Sequence, residues 1–259
     1  KNRQIIIFRL FCCLYVVQIF CSCLSISTVD NTLYPNINTK IKYQQDWQKD
    51  FYYKKLSEFE VSPIGFNKIV FLGNSITQGL LRHTDKLLGS NIVNRGISGD
   101  HTDGVLARLE EIIHYKPKAV FLLIGVNDLF EDNRSRPERT PEYVANNIFL
   151  ISDIISKNSP NTKIFTQTII PINNNQYLTE KPNIEFLHVD YSPSINEQIN
   201  EVNKILKSNL SLNIIDLHST FLNEDFQLNP KFSTDGVHLN DLGYQNWIDI
   251  INQILKDIK

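Results

Sequence analysis

"FLGNSITQG", residues 71–79, changes character at its centre: an apolar run stops on Gly73, and Asn74 and Ser75 lead into Ile76. Ile69 to Leu72 reads as a short buried strand, and the residues from Ile76 onward as the start of a helix. A serine on a strand-to-helix turn stands exposed beside backbone N–H groups that the helix leaves unpaired. Asn74 or Ser75 would equally make an ordinary helix N-cap. Gly73 and Gly79 bracket the turn, so a glycine-rich phosphate turn is a third reading. These nine residues leave all three open.

Outward from this turn the chain alternates. Strand-like runs occupy 68–72 (KIVFL), 91–94 (NIVN), 119–125 (AVFLLIG), 163–170 (KIFTQTII) and 212–217 (LNIIDL). Helical spacing fills 103–115, 141–158, 194–209 and the chain end from Asp241. Apolar strands alternating with amphipathic helices predict an α/β fold, a five-stranded parallel sheet covered on both faces in one doubly wound domain. The segment 171–193, between the fourth strand and the next helix, is too long for a plain connection; it leaves a strand carboxyl end, where such sheets bind ligands.

The chain has 259 residues, 42% of them hydrophobic, which is enough for a full core. A net charge of −2 gives no sign of nucleic acid as a partner. Residues 1–27 differ from the rest. Lys1, Arg3 and Arg9 accompany an apolar run with no acidic residue, the layout of an export signal. Arg9 interrupts the run and Leu10 to Phe20 is short for a membrane span. Cleavage is expected after Ser25 or Ser27; alternatively "FCSC" (20–23) resembles a lipobox, and a lipidated Cys23 would attach the protein to a membrane. Either route makes it periplasmic or extracellular. All four cysteines lie at positions 12 to 23, so the domain beyond has neither disulfide nor thiol nucleophile. Residues 28–40 read as a polar linker and 41–259 as the domain, with a helical extension over 41–62 whose aromatics Trp47, Phe51 and Phe59 are expected in the core.

Four stretches arrive at the functional edge: Ser75, "NRGISGD" (94–100), "GVND" (125–128) and "STDGVHLN" (233–240). A serine needs a base to become nucleophilic, and an aspartate bound to the far ring nitrogen fixes the histidine tautomer. Asp235 and His238, three apart on a glycine-containing turn, can supply both. The tetrahedral intermediate needs donors, available from a glycine N–H, an asparagine amide and the Ser75 N–H.

Taken in order, "GNS", "ISGD", "GVND" and "DGVHL" resemble the four blocks of the SGNH hydrolases, also called GDSL esterases and lipases. The run "NRGISGDHTDGVLARL…PKAVFLLIGVNDL" is similar to the branch around platelet-activating-factor acetylhydrolase-like and carbohydrate O-acetylesterase proteins. The likeness covers roughly residues 66–258. It implies a flavodoxin-like three-layer α/β/α fold and no cofactor. It also implies Ser75 as nucleophile with His238 and Asp235, and Gly99, Asn127 and the Ser75 N–H around the oxyanion. Asn74 stands where the family usually has Asp, and His101 where this branch more often has a small hydroxyl residue.

Arg95 and His101 are candidate substrate contacts. For Arg95 the plain alternative is a salt bridge with Glu110 or Asp103; for His101 it is a solvent-facing helix start. Asp128 is expected to hold the GVND loop. Asp216 and His218 mimic an acid–base pair but are read as a strand end. The six histidines include no H-x-x-H or H-x-x-x-H pair, so no metal is expected. The favoured activity is hydrolysis of short acyl esters, chiefly O-acetyl, on carbohydrate. Alternatives are lysophospholipid or thioester hydrolysis, for which the leucines of 79–89 would line a groove, and a non-catalytic glycan-binding module. Nucleotide binding is disfavoured, because "GNSITQG" lacks a P-loop lysine and the G-x-G-x-x-G fingerprint.

Overall fold

Five strands, β1 (Ile69–Gly73), β2 (Ile92–Gly96), β3 (Ala119–Leu123), β4 (Lys163–Gln167) and β5 (Asn213–Ile215), form one sheet in the order β2-β1-β3-β4-β5, with every pairing parallel. The structure, a computed structural model, describes residues 33–89, 91–130, 137–188 and 191–258. The signal-like segment, Cys23 and both cleavage candidates lie outside the described residues. β1 and β3 are buried at every position, which explains their unbroken apolar sequence. The edge strands β2 and β5 are partly exposed and carry Asn and Arg.

Phe71, Phe121 and Phe165 are register partners on three adjacent strands, and their rings stack at 4.9 Å steps. Trp247 closes on Phe71 edge-first at 6.2 Å. The principal helices are α1 (Asp46–Val61), α2 (Ser75–Gly79), α3 (Thr102–Leu106), α4 (Glu110–Tyr115), α5 (Val126–Leu129), α6 (Pro141–Asn158), α7 (Asn174–Glu180), α8 (Ile195–Ser208), α9 (His218–Phe221) and α10 (Asp241–Leu255). α6 and α8 pack on each other, and α10 carries Trp247 onto the phenylalanine ladder, giving the three layers. Their ends follow local chemistry. Thr140 caps α6 with Pro141 in its first turn, Ser194 and Glu197 form a capping box on α8, and Asn240 caps α10.

Register positions the site. Gly73 stands opposite Gly96 on β2, and opposite Leu123 on β3, so the segments after all three strands leave from one edge. Strand order reverses between β1 and β3 there, the position where open α/β sheets bind ligands.

Three expectations change, and the long 171–193 segment gains detail. The helix expected over 103–115 is two, α3 and α4, separated by a turn at 107–109. The described part of the 28–40 linker is docked: Tyr34 is buried, and the Tyr53 hydroxyl donates to the Asn36 carbonyl at 2.7 Å. The described residues of 171–193 include α7 and a short 3₁₀ turn (Glu185–Leu187). On α1, Phe59 is buried as expected, but Trp47 is 58% exposed. The buried stripe of that helix is Gln48, Tyr52, Tyr53, Leu56 and Phe59.

Candidate active site

Asn74, not Ser75, caps α2: its side chain accepts the Ile76 N–H at 3.0 Å. Ser75 is thus the first helical residue, half-buried, with its N–H spared from the intrahelical bonds. Gly73 is obligatory here, because any Cβ would run into the Leu123 carbonyl and the Thr77 side chain. The turn is braced from both sides. Tyr244 of α10 donates to the Ile76 carbonyl at 2.9 Å, and Asn94 of β2 to the Thr77 carbonyl at 2.6 Å.

His238 reaches Ser75 from the last connection before α10, with Nε2 3.1 Å from Oγ. Its Nδ1 lies 2.7 Å from Asp235 Oδ2. The other oxygen, Oδ1, accepts the His238 and Val237 N–H groups at 2.7 and 2.9 Å. Burial would lift the Asp235 carboxyl; the bonds from the His238 ring and the two backbone N–H groups outweigh it and hold the group at about 2. The turn carrying both residues is itself tied down: Ser233 Oγ donates to the His238 carbonyl and accepts from Gly236 N–H, while Asn173 N–H donates to the Gly236 carbonyl at 2.7 Å.

Gly99 and Asn127 converge on the same place. Gly99 has φ +79°, a conformation that favours glycine, and Trp47 abuts it so closely that a Cβ would lie 2.6 Å from the indole. Gln78 Oε1 accepts from Ser98 N–H at 2.8 Å, and Gln48 Nε2 donates to the Gly99 carbonyl at 3.0 Å, so the loop is held on both sides of Gly99. Asn127 spends one amide hydrogen on the Asp100 carbonyl at 2.8 Å and has another to offer. Beneath, Arg108 bonds Asp100 Oδ2 at 2.8 Å and the Gly73 carbonyl at 3.2 Å, joining the serine turn to the Gly99 loop. Burial pushes the Asp100 carboxyl up to about 6, with Arg108 pulling the other way. Asp128 is buried and accepts from Thr102 N–H and Oγ1, pinning α5 to the start of α3.

Two clefts meet at Ser75 and His238. One, about 380 Å³, is lined by Trp47, Gln48, Gly99, Asn127, Phe130 and Tyr177 among others. The other, about 510 Å³, is lined among others by Gln78, Arg82, His83, Thr234, Asn240 and Asp241. The leucines at 80, 81, 87 and 88 line neither.

The two candidate substrate contacts sit elsewhere. Arg95 is buried and paired bidentately with Glu111, at 2.8 Å on both oxygens, and lines neither cleft. Its partner is Glu111 because the break before α4 turns that residue inward and leaves Glu110 exposed. His101 is neither solvent-facing nor in a cleft: it is 1% exposed, drawn in where Asp128 holds the Thr102 N–H, with Nδ1 3.9 Å from Asp103 Oδ2. His101, Asp103 and Asp128 cluster within 4.8 Å, where the Arg139 guanidinium, 3.6 Å from Asp128, already supplies a cation. Asp216 accepts from Lys207 and Thr168, and no hydrogen bond joins it to the His218 ring.

A serine, histidine and aspartate in hydrogen-bonded series at the switch point of a flavodoxin-like sheet is the equipment of a hydrolase. The model of the GDSL-like Lipase/Acylhydrolase family matches residues 71–245, and the chain belongs to that family. None of the curated proteins compared with it matches the sequence. Among solved structures, one from Bacteroides fragilis described as an acylhydrolase is 24% identical, covering 83% of this chain and 100% of its own at a TM-score of 0.66. A GDSL-like lipase from Bacteroides thetaiotaomicron is 22% identical, covering 80% and 97% at 0.65. A mutant of an acetyl-xylooligosaccharide esterase from Geobacillus stearmophilus is 20% identical, covering 73% and 94% at 0.52. At these identities the likeness is one of fold.

Proposed function

We propose that the chain is a serine esterase that removes short acyl groups, chiefly O-acetyl, from carbohydrate. The observation that carries this is the relay Ser75 Oγ to His238 Nε2 at 3.1 Å and His238 Nδ1 to Asp235 at 2.7 Å. Ser75 Oγ attacks the ester carbonyl carbon while His238 takes its proton, and ionised Asp235 holds the ring in the required tautomer. The carbonyl oxygen becomes an oxyanion facing the N–H groups of Ser75 and Gly99 and the amide of Asn127. The carbon–oxygen bond to the alcohol breaks, and His238 returns the proton to that oxygen. Water, deprotonated by the same ring, then attacks the acyl-serine and releases the carboxylic acid and a free Ser75. Every proton moves through His238, and the cycle uses no cofactor.

Short acyl groups fit because the 510 Å³ cleft carries Arg82, Asp241, Gln78, Asn240 and Thr234, and the leucines of the 79–89 segment line neither cleft. An enzyme acting on acetylated xylo-oligosaccharides shares the fold, which agrees with a sugar ester as substrate. Export, with or without attachment through Cys23, belongs to the same proposal and rests on the composition of residues 1–27.

The test is a chain-length series. The expected result is kcat/KM for p-nitrophenyl acetate at least about tenfold above that for the octanoate, a difference of 1.4 kcal/mol or more in activation free energy. The reverse order would make the protein a lysophospholipase- or thioesterase-type hydrolase. No hydrolysis of any ester would leave the non-catalytic module as the better reading.

Asn127→Ala should lower kcat by about 10²–10³-fold with KM nearly unchanged, the signature of a donor engaged in the transition state. A rise in KM alone would remove Asn127 from the oxyanion site.

A further inference from the structure

The matched family region begins at residue 71, yet α1, which precedes it, forms one wall of the 380 Å³ cleft beside Ser75. That wall is Trp47 and Gln48. Of the two tryptophans in the chain, Trp247 is fully buried and Trp47 is 58% exposed. Trp47 is nevertheless fixed: its Nε1 donates to Gln45 Oε1 at 2.7 Å, its far edge abuts Gly99, and its neighbour Gln48 is anchored on the Gly99 carbonyl. Phe130 and Tyr177 also line the cleft, their rings edge-to-face at 5.2 Å.

We propose that this cleft is a subsite for a pyranose ring, with Trp47 as its platform, so that α1 selects the alcohol half of the ester. The inference rests on the glycan-esterase reading above and goes further by assigning the residue that recognises the sugar. The chemistry of the lining carries it. A pyranose presents a C–H face that suits the negative face of an indole, and a rim of hydroxyls that needs donors and acceptors. Here aromatic rings stand among the side-chain amides of Gln45, Gln48 and Asn127. An acetyl methyl would fill only a small part of the volume.

The test uses the whole chain and acetylated xylo-oligosaccharides as probe. Trp47→Ala should raise KM for the saccharides by about tenfold, the scale of one aromatic contact, while kcat on them falls by less than about threefold. Trp47→Phe should recover part of the loss. In Ser75→Ala protein, which binds without turnover, the saccharides should shift Trp emission to the blue, and W47F should abolish the shift. A fall in kcat with KM unchanged would mean that Trp47 only props Gly99, and a loss confined to octanoate esters would make the cleft an acyl pocket; either overturns the proposal. So would saccharide hydrolysis by the unaltered chain with no emission shift. A chain inert on the saccharides but active on aryl acetate would remove the glycan reading itself, and the subsite with it.

Discussion

Replacing Ser75 by Ala should lower kcat for aryl acetates by on the order of 10⁴–10⁶-fold while the protein keeps its fold and its melting temperature within a few degrees. The substitution deletes one atom, Oγ, whose hydrogen-bond partner is His238 Nε2. The Ser75 N–H is main chain and remains, as do Gly99 and Asn127, so any residual rate measures what oxyanion donors and binding achieve alone. Alanine also suits the first turn of a helix whose cap is Asn74. A variant that keeps more than a few per cent of the rate, with circular dichroism unchanged, would show that another group attacks the ester.

The second large effect is on stability. Glu111→Ala should cost about 3–5 kcal/mol, because it strands the Arg95 guanidinium in the interior without its counter-charge. Arg95 and Glu111 side chains are 5% and 3% exposed, so water cannot take over. The pair is also a joint: Arg95 donates to the Ser62 carbonyl at 2.7 Å, Glu111 accepts the Ile64 N–H at 2.8 Å, and the guanidinium lies 4.3 Å over the Phe59 ring. These contacts dock the end of α1 and the segment leading into β1. The melting temperature should fall by on the order of 10 °C, a large share of a typical domain's stability. The double variant Arg95→Met, Glu111→Leu should regain most of it, since the charge and its partner leave together. A single variant that loses less than about 1 kcal/mol in urea titration would show that the pair is dispensable.

Much of this was legible in the sequence where local chemistry and the fold agree. The helix 141–158 is found at its expected bounds because Thr140 caps it, Pro141 suits its first turn and its apolar residues recur at helical spacing. The four edge stretches were legible because their chemistry demands particular residue types at particular strand ends. The helix expected at 103–115 misled because Val105, Leu109 and Ile112 keep helical spacing straight through the turn that divides α3 from α4. Glu111 was missed for the same reason. The 171–193 segment was opaque because its order comes from distant main chain: Asn173 Nδ2 donates to the Leu228 carbonyl at 2.9 Å. For Trp47 and Gln48 a signal did exist. At about 100° per residue, Trp47 lies roughly 120–180° away from Tyr52, Leu56 and Phe59, whereas Gln48 falls within about 80° of all three. An aromatic off the buried stripe and a polar residue on it mark a helix that does more than pack.

Asp235 and His238 share one short turn, whereas Ser75, Gly99 and Asn127 are held by the ends of three paired strands. The proposed catalytic apparatus therefore comes in two pieces of unequal durability. The sheet-borne piece has the endurance of the domain itself; the turn-borne piece has only that of a few hydrogen bonds, among them Ser233 to His238 and Asn173 to Gly236. Local opening of 233–238 would withdraw acid and base in a single event while the strands remain paired. Activity is thus poised to disappear below the temperature at which the molecule melts, and to return on cooling without any need to refold.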